Sequence, residues 1–255
     1  TVQPGQTVCI KAGTYTETLR PANSGAAGAM ITFKAYPGNE CSAGSLPNGA
    51  FDYGNAPPTC GVKITGGVNP DTKSYLRIQG FEITSPVQGI FLQDRYTNVV
   101  TNVEIVNNYL HDIGGGDAIE ARNADNVLIE NNYIYNTSPS ANVSGITTRG
   151  DDALAASALA TNVTIRGNAI LDMACDGLRL SGNNIIVENN VMDNKAVFTD
   201  CHQDGLEIYG RNDGLIIRNN KISDYTQNIY LSAEGGYIRN VSVIGNVVWC
   251  DDYCA

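Results

Sequence analysis

Charge is scarce in this chain, and so are several side chains on which many active sites depend. Only 16% of the 255 residues are charged, with two His, one Trp and three Met. Low charge combined with 42% hydrophobic residues excludes a disordered or coiled-coil chain and leaves one large soluble domain able to bury a sizeable core. There is no run of Lys or Arg, and 16 basic against 26 acidic residues give a net charge of -10 and a pI near 4.6. That surplus repels a nucleic-acid backbone, so no nucleic-acid partner is expected. No stretch reaches 18 uninterrupted apolar residues, so no membrane insertion is expected either. The chain opens TVQPGQTVC, without an initiator Met or signal sequence, which reads as the processed start of a longer precursor with room for further domains or neighbours.

Two residue types are plentiful. Seven Cys exceed what a cytosolic enzyme of this size usually carries, and their proximity suggests Cys41 with Cys60, Cys175 with Cys201 and Cys250 with Cys254, leaving Cys9 over. A secreted, extracellular protein is expected. Asn occurs 28 times, so the four N-x-S/T triplets at Asn136, Asn142, Asn162 and Asn240 carry little weight.

The Asn residues recur inside one motif, seen as NVEIVNNYL, NVLIENNYI, NVTIRGNAI, NIIVENNVM, GLIIRNNKI and NVSVIGNVV. Its Asn column is Asn108, Asn132, Asn168, Asn190, Asn220 and Asn246, and an earlier copy, YLRIQGFEI, has Phe81 in that place. The variable spacing implies one unit with loops of different length. Apolar residues alternate within each copy, which is strand periodicity, and a second short strand follows each one: GIFL, DAIEA, SGITT, DGLRL, DGLEI and NIYL. Short strands without intervening helices cannot form βαβ units, whereas a chain climbing one coil per repeat stacks equivalent strands in parallel. The expected fold is therefore all-β, a right-handed parallel β-helix of about seven to nine coils. A single domain over 1–255 is expected, with N-terminal coils to 70, regular coils over 71–249 and a C-terminal tail over 250–255. Ile105, Ile129, Ile165, Val187, Ile217 and Val243 should stack in one buried column. The Asn column should form an amide ladder at a corner that uses the left-handed conformation. One helix-like stretch, DDALAASALA, covers 151–160, and the tail is expected to cap the last coil.

The segment PGQTVCIKAGTYTETL resembles the opening coil of right-handed β-helix carbohydrate-active proteins, and the NVxIxNNxI coils are similar to those of pectate lyases, alginate-type lyases and mannuronan epimerases. The resemblance covers nearly the whole chain and implies a polysaccharide as substrate or ligand. The paired-Asp and Gly-His-Gly signatures of polygalacturonases and the Asp-Pro-His motif of the epimerases are absent. CHQDGLEIYG resembles an HxDGxxI stretch of other exported β-helix proteins.

Reading the second strands in register, one column runs Gln88, Asp117, Ser144, Asp176, Asp204 and then Gln227 or Asn228. An outward column runs Phe91, Glu120, Thr147, Arg179, Glu207 and Tyr230. A further one runs Gln93, Arg122, Arg149, Ser181 and Tyr209. Outward residues on any sheet are polar, and cross-strand acid and Arg pairs often only stabilise the stack. The concentration of Asp117, Glu120, Asp176, Arg179, His202, Asp204 and Glu207 on a few coils of a weakly charged chain argues for a site. His111, beside Asp112, reads as a turn histidine.

Three functions fit. The favoured one is Ca²⁺-assisted β-elimination from a uronate-containing glycan, with Asp117, Asp176 and Asp204, joined by Asp151 and Asp152, as metal ligands. His202, Arg179 or Lys195 would act as base among Asp204 and Glu207, while Glu120, Arg122, Arg149, Tyr209 and Tyr230 bind substrate. The second is hydrolysis by two carboxylates, Asp176 with Asp204 or Glu120 with Glu207, although the latter pair would lie about 14 Å apart. The third is a polysaccharide-binding or structural module, with Tyr209, Tyr230 and Phe91 as stacking surfaces.

Overall fold

The computed structural model describes residues 1–41, 57–92, 99–135, 144–149, 159–195 and 201–251. In chain order the strands are β1 (Thr7–Ile10), β2 (Gly13–Tyr15), β3 (Ile31–Ala35), β4 (Val62–Ile64), β5 (Leu76–Gln79), β6 (Glu82–Ser85), β7 (Ile90–Leu92) and β8 (Val100–Val106). They continue as β9 (Tyr109–Ile113), β10 (Ile119–Arg122), β11 (Ala124–Glu130), β12 (Tyr133–Tyr135), β13 (Ile146–Arg149), β14 (Ala160–Arg166), β15 (Ala169–Leu171) and β16 (Leu178–Asn183). The last are β17 (Ile186–Glu188), β18 (Val191–Asp193), β19 (Asp204–Asp213), β20 (Ile216–Arg218), β21 (Lys221–Ser223), β22 (Gln227–Arg239), β23 (Ser242–Ile244) and β24 (Val247–Trp249).

These strands coil into three parallel stacks. The front stack is β7, β10, β13, β16, β19 and β22, and the middle one is β1, β3, β5, β8, β11, β14, β17, β20 and β23. The two merge where β16 pairs with β14, while β2, β4, β6, β9, β12, β15, β18, β21 and β24 form the back stack. The protein is a parallel β-helix, as the repeats imply.

The aliphatic columns fall in the predicted register, with Ile105 beside Ile129, then Ile165, Val187, Ile217 and Val243. The first five are fully buried, whereas Val243, on the last described coil, is 49% exposed because no further coil among the described residues covers it. The expected capping tail beyond 251 lies outside the described residues, as does most of the helix-like stretch, whose final residue begins β14.

The Asn ladder runs unbroken, with Nδ2 of Asn108, Asn132, Asn168, Asn190 and Asn220 each donating to Oδ1 of the next member at 2.9–3.1 Å. The expected conformation needs a correction. The ladder Asn is not the left-handed residue; its predecessor is, at Asn107, Asn131, Gly167, Asn189, Asn219 and Gly245. One residue turns the corner and the next fills it, which is why the motif carries Asn-Asn or Gly-Asn. Phe81 takes the ladder position below Asn108, and its backbone N–H donates to Asn108 Oδ1.

Disulfides join Cys41 to Cys60 and Cys175 to Cys201, and Cys9 is free and exposed. Cys250 is also disulfide-bonded, and Cys254, its expected partner, lies outside the described residues.

Candidate functional site

The front stack presents one outward row, Phe91, Glu120, Thr147, Arg179, Glu207 and Tyr230, in the register expected from the sequence. Its parallel neighbour brings Arg122 beside Arg149, while Tyr209 pairs with Ser232. Gln93 lies outside the described residues. Glu120 is fully buried although it points away from the core, because its neighbours cover it. Oε1 accepts from Arg122 Nε at 2.9 Å and Arg149 Nε at 2.7 Å, and Oε2 accepts from Gln88 Nε2 at 2.8 Å. Burial pushes its carboxyl up, and the Arg149 guanidinium works against that. Glu120 therefore works as a clamp that fixes two arginines on adjacent coils, about 4.8 Å apart. Two coils on from Glu120, Arg179 Nε donates to Glu207 Oε2 at 2.8 Å, and its guanidinium lies 5.0 Å from the centre of the Tyr209 ring. The side chains of Arg122, Arg149 and Arg179 are partly exposed to solvent.

The Asp column, expected to supply metal ligands, is turned away from solvent. Asp176 and Asp204 are buried, 6% and 1% exposed, at the corner leading into the front stack. Asp117 Oδ1 accepts from Ser144 N at 3.2 Å, Ser144 Oγ lies 3.3 Å from Asp176 Oδ2, and Asp176 Oδ1 accepts from Asp204 N at 3.2 Å. The column is a second corner ladder, and its last member, Asp204, has no hydrogen-bond partner on either carboxylate oxygen. Burial, reinforced by the Glu207 charge, pushes Asp176 up to about 7 and Asp204 up to about 6, with the His202 charge pulling Asp204 back. Burial and Glu120 push Asp117 up to about 6. The glycines that follow Asp176 and Asp204 are required by close approach, whereas Asp117 is followed by Ala118. A Cβ on Gly177 would stand 2.6 Å from the Gly205 carbonyl oxygen and 2.7 Å from the hydroxyl of the buried Tyr225, and one on Gly205 would stand 2.5 Å from Ile222.

The proposed Ca²⁺ ligands do not fit one ion. Asp117 and Asp176 are two coils apart with Ser144 between them, roughly 9.6 Å, whereas oxygens sharing a Ca²⁺ each stand about 2.3–2.6 Å from it. Among the described residues no group of three His, Cys, Asp or Glu side chains converges in a metal-holding arrangement, and Asp151 and Asp152 lie outside those residues. The register likewise sets Glu120 and Glu207 three coils apart, about 14 Å, too far for a pair of hydrolytic carboxylates.

His202 is exposed on the turn into β19, one residue after Cys201. The Cys175–Cys201 bridge ties that turn to the one before Asp176, so His202, Asp176 and Asp204 share a braced corner. Lys195 is placed elsewhere, on the corner after β18, where its N–H donates to Asp172 Oδ1 at 3.0 Å and its charge acts on Asp193. His111 is within β9 rather than on a turn. It sits between Glu82 (3.0 Å) and Asp112 (2.8 Å) and stacks on Tyr109, as a structural histidine does. The sequence reading did not single out Gln88 as a site residue, although its place in the Asp column was visible.

A family model described as "Right handed beta helix region" matches residues 61–250. No curated protein matches the sequence significantly. Among solved structures, pectate lyase Pel9A aligns with a TM-score of 0.56 at 14% identity, covering 96% of this chain and 72% of its own. An alginate lyase from Paenibacillus sp. str. FPU-7 aligns at 0.55 and 15%, covering 99% and 93%. A GH136 lacto-N-biosidase from Eubacterium ramulus aligns at 0.59 and 14%, covering 98% and 59%. At such identities the likeness is one of fold, and with three-quarters of its length matched the chain belongs to the right-handed β-helix family.

Proposed function

We propose that this protein is exported, binds an acidic, uronate-containing polysaccharide along its front stack and cleaves it by β-elimination. The observation that carries the reading is the set of partly exposed arginines on three successive coils, Arg122 and Arg149 in one outward column and Arg179 in the next, each aligned by a glutamate, on a chain whose net charge is -10. A guanidinium takes a carboxylate in a planar two-bond fork, so arginines on successive coils match the repeated carboxylates of a polyuronate. Elimination needs that carboxylate neutralised so that the adjacent C5 proton becomes acidic, and Arg179, in register with Glu207 on the strand that His202 leads into, supplies a positive charge on that part of the front stack. His202 then accepts the C5 proton, the electron pair forms the C4–C5 double bond, and the C4–O bond breaks with the leaving oxygen taking a proton from water. Tyr209 and Tyr230 offer ring faces to the sugars. No step passes through Ca²⁺. The disulfides support an oxidising, extracellular setting, and the names of two fold neighbours, a pectate lyase and an alginate lyase, support a uronate polymer.

The test is incubation with polygalacturonate and with alginate, with and without a chelator, following the ultraviolet absorbance of the unsaturated uronate. Absorbance should grow equally in both arms, and His202→Ala should lower kcat by roughly 10²–10⁴-fold. Loss of activity to the chelator would overturn neutralisation by arginine. Reducing ends without absorbance would mean hydrolysis, and binding without either product would mean a non-catalytic module.

A further inference from the structure

The middle stack carries a groove of about 630 Å³ across the outer faces of β8, β11 and β14, a size that suits a small ligand. It lies around the corner from the arginine row, and the sequence reading gave it no role. Its lining includes Tyr75, Asn102, Asn126 and Asn162, with Met30 and Leu128 as apolar surface. The first four hold one equivalent place, the residue before the buried apolar column of each coil, and all four are left-handed, with φ between 52° and 57°.

Asn explains itself there, because it adopts that conformation at little cost, and Gly214 fills the same place on a later coil. Tyr75 does not. A bulky aromatic at positive φ is a strained outlier, and such strain persists where the side chain has a use. The amides have capacity to spare. Asn126 Nδ2 donates to Asn102 Oδ1 at 2.6 Å, Asn162 Nδ2 donates to Asp125 at 2.7 Å and Asn162 Oδ1 accepts from Asn184 Nδ2 at 3.2 Å, which leaves N–H capacity on all three amides and the carbonyl of Asn126. The bordering charges cancel, Glu104 against Arg77 and Arg166 against Glu130.

From these we infer a second carbohydrate-binding site, for an uncharged oligosaccharide lying along the helix axis with one ring on Tyr75 and its hydroxyls on the amide row. From Tyr75 to Asn162 the row climbs three coils, about 14 Å. An aromatic face followed by evenly spaced amides, with no net charge, is the complement of a chain of neutral sugars and a poor match for a polyuronate. The site holds a second polymer, or a neutral stretch of the same one, and takes no part in cleavage.

Calorimetric titration with β-1,4-linked gluco-, manno- and galacto-hexasaccharides tests it. At least one should bind. Tyr75→Asn, which restores the residue this column otherwise favours, should bind it about tenfold more weakly while melting at the same temperature or higher, and Tyr75→Phe should bind as the parent does. Arg179→Ala should leave this binding unchanged even as it weakens polygalacturonate. The inference is overturned if no neutral hexasaccharide binds, if Tyr75→Asn binds as the parent or fails to fold, or if Arg179→Ala removes the binding, which would move the ligand to the front stack. None of these outcomes depends on whether uronates are cleaved.

Discussion

Asp204 concentrates the physics of this molecule in one side chain. It is 1% exposed, neither carboxylate oxygen has a hydrogen-bond partner, and burial pushes its pKa up to about 6. Unfolded, an aspartate ionises near 4, so between these values the folded state holds the extra proton. The stability due to this group is then full below about pH 4 and is lost as pH rises through about 6. Asp204→Asn should accordingly melt close to the parent at pH 4 and several degrees above it at pH 8, measured by circular dichroism across a pH series. A variant destabilised at pH 8 would show that the ionised carboxylate has a partner the fold needs. The identity of the Asp column was legible from DGLRL and DGLEI, but its burial was not. Alternation along a strand says which residues point outward, whereas Asp176 and Asp204 lie at a corner, where the pleat no longer dictates direction.

At the scale of the strand, stability resides in columns shared between coils rather than in any one repeat. Ile165 is sandwiched between Ile129 and Val187 and fully buried, so Ile165→Ala should cost about 2–5 kcal/mol in chemical denaturation. Val243→Ala, in the same column but half exposed, should cost under about 1 kcal/mol. Equal costs would mean that the column does not end at the last described coil. Asn168 sits mid-ladder, accepting from Asn132 N and Nδ2 while its own amide donates to Ile129 O, Arg166 O and Asn190 Oδ1. Asn168→Ala should thus cost on the order of 3 kcal/mol, since it strands buried donors and acceptors on two coils. The register of all these columns was readable because the Ile/Val period recurs along the repeats and the Asn in every copy after the one that carries Phe81. The clamp of Arg122 and Arg149 on Glu120 was not readable, because the sequence puts those residues in adjacent columns without saying that a carboxylate pointing outward would be roofed over by its neighbours.

On the scale of the whole molecule, a β-helix is close to one-dimensional, each coil held by the ones on either side, so its ends open at lower free energy than its middle. The two halves of the chain differ in how they meet that problem. The middle coils carry a closed interior, whereas the last described coil leaves Val243, Ile244, Val247 and Val248 between 46% and 62% exposed, and among the described residues β23 pairs only with β20 and β24 only with β21. The Cys175–Cys201 bridge stands between those regions and clamps the corner that carries Asp176 and His202. Hydrogen exchange should therefore be graded along the axis: amides of β23 and β24 first, β20 and β21 next, and β11, β14 and β15 last. Replacing Cys175 and Cys201 with Ala should cost about 2–4 kcal/mol, and should move the fast-exchange boundary from the last coil back to β16 while leaving β8 and β11 protected. If exchange instead rose uniformly in every coil, the solenoid would be unfolding as a single cooperative unit, and the bridge would be adding stability without shielding the site from the frayed end.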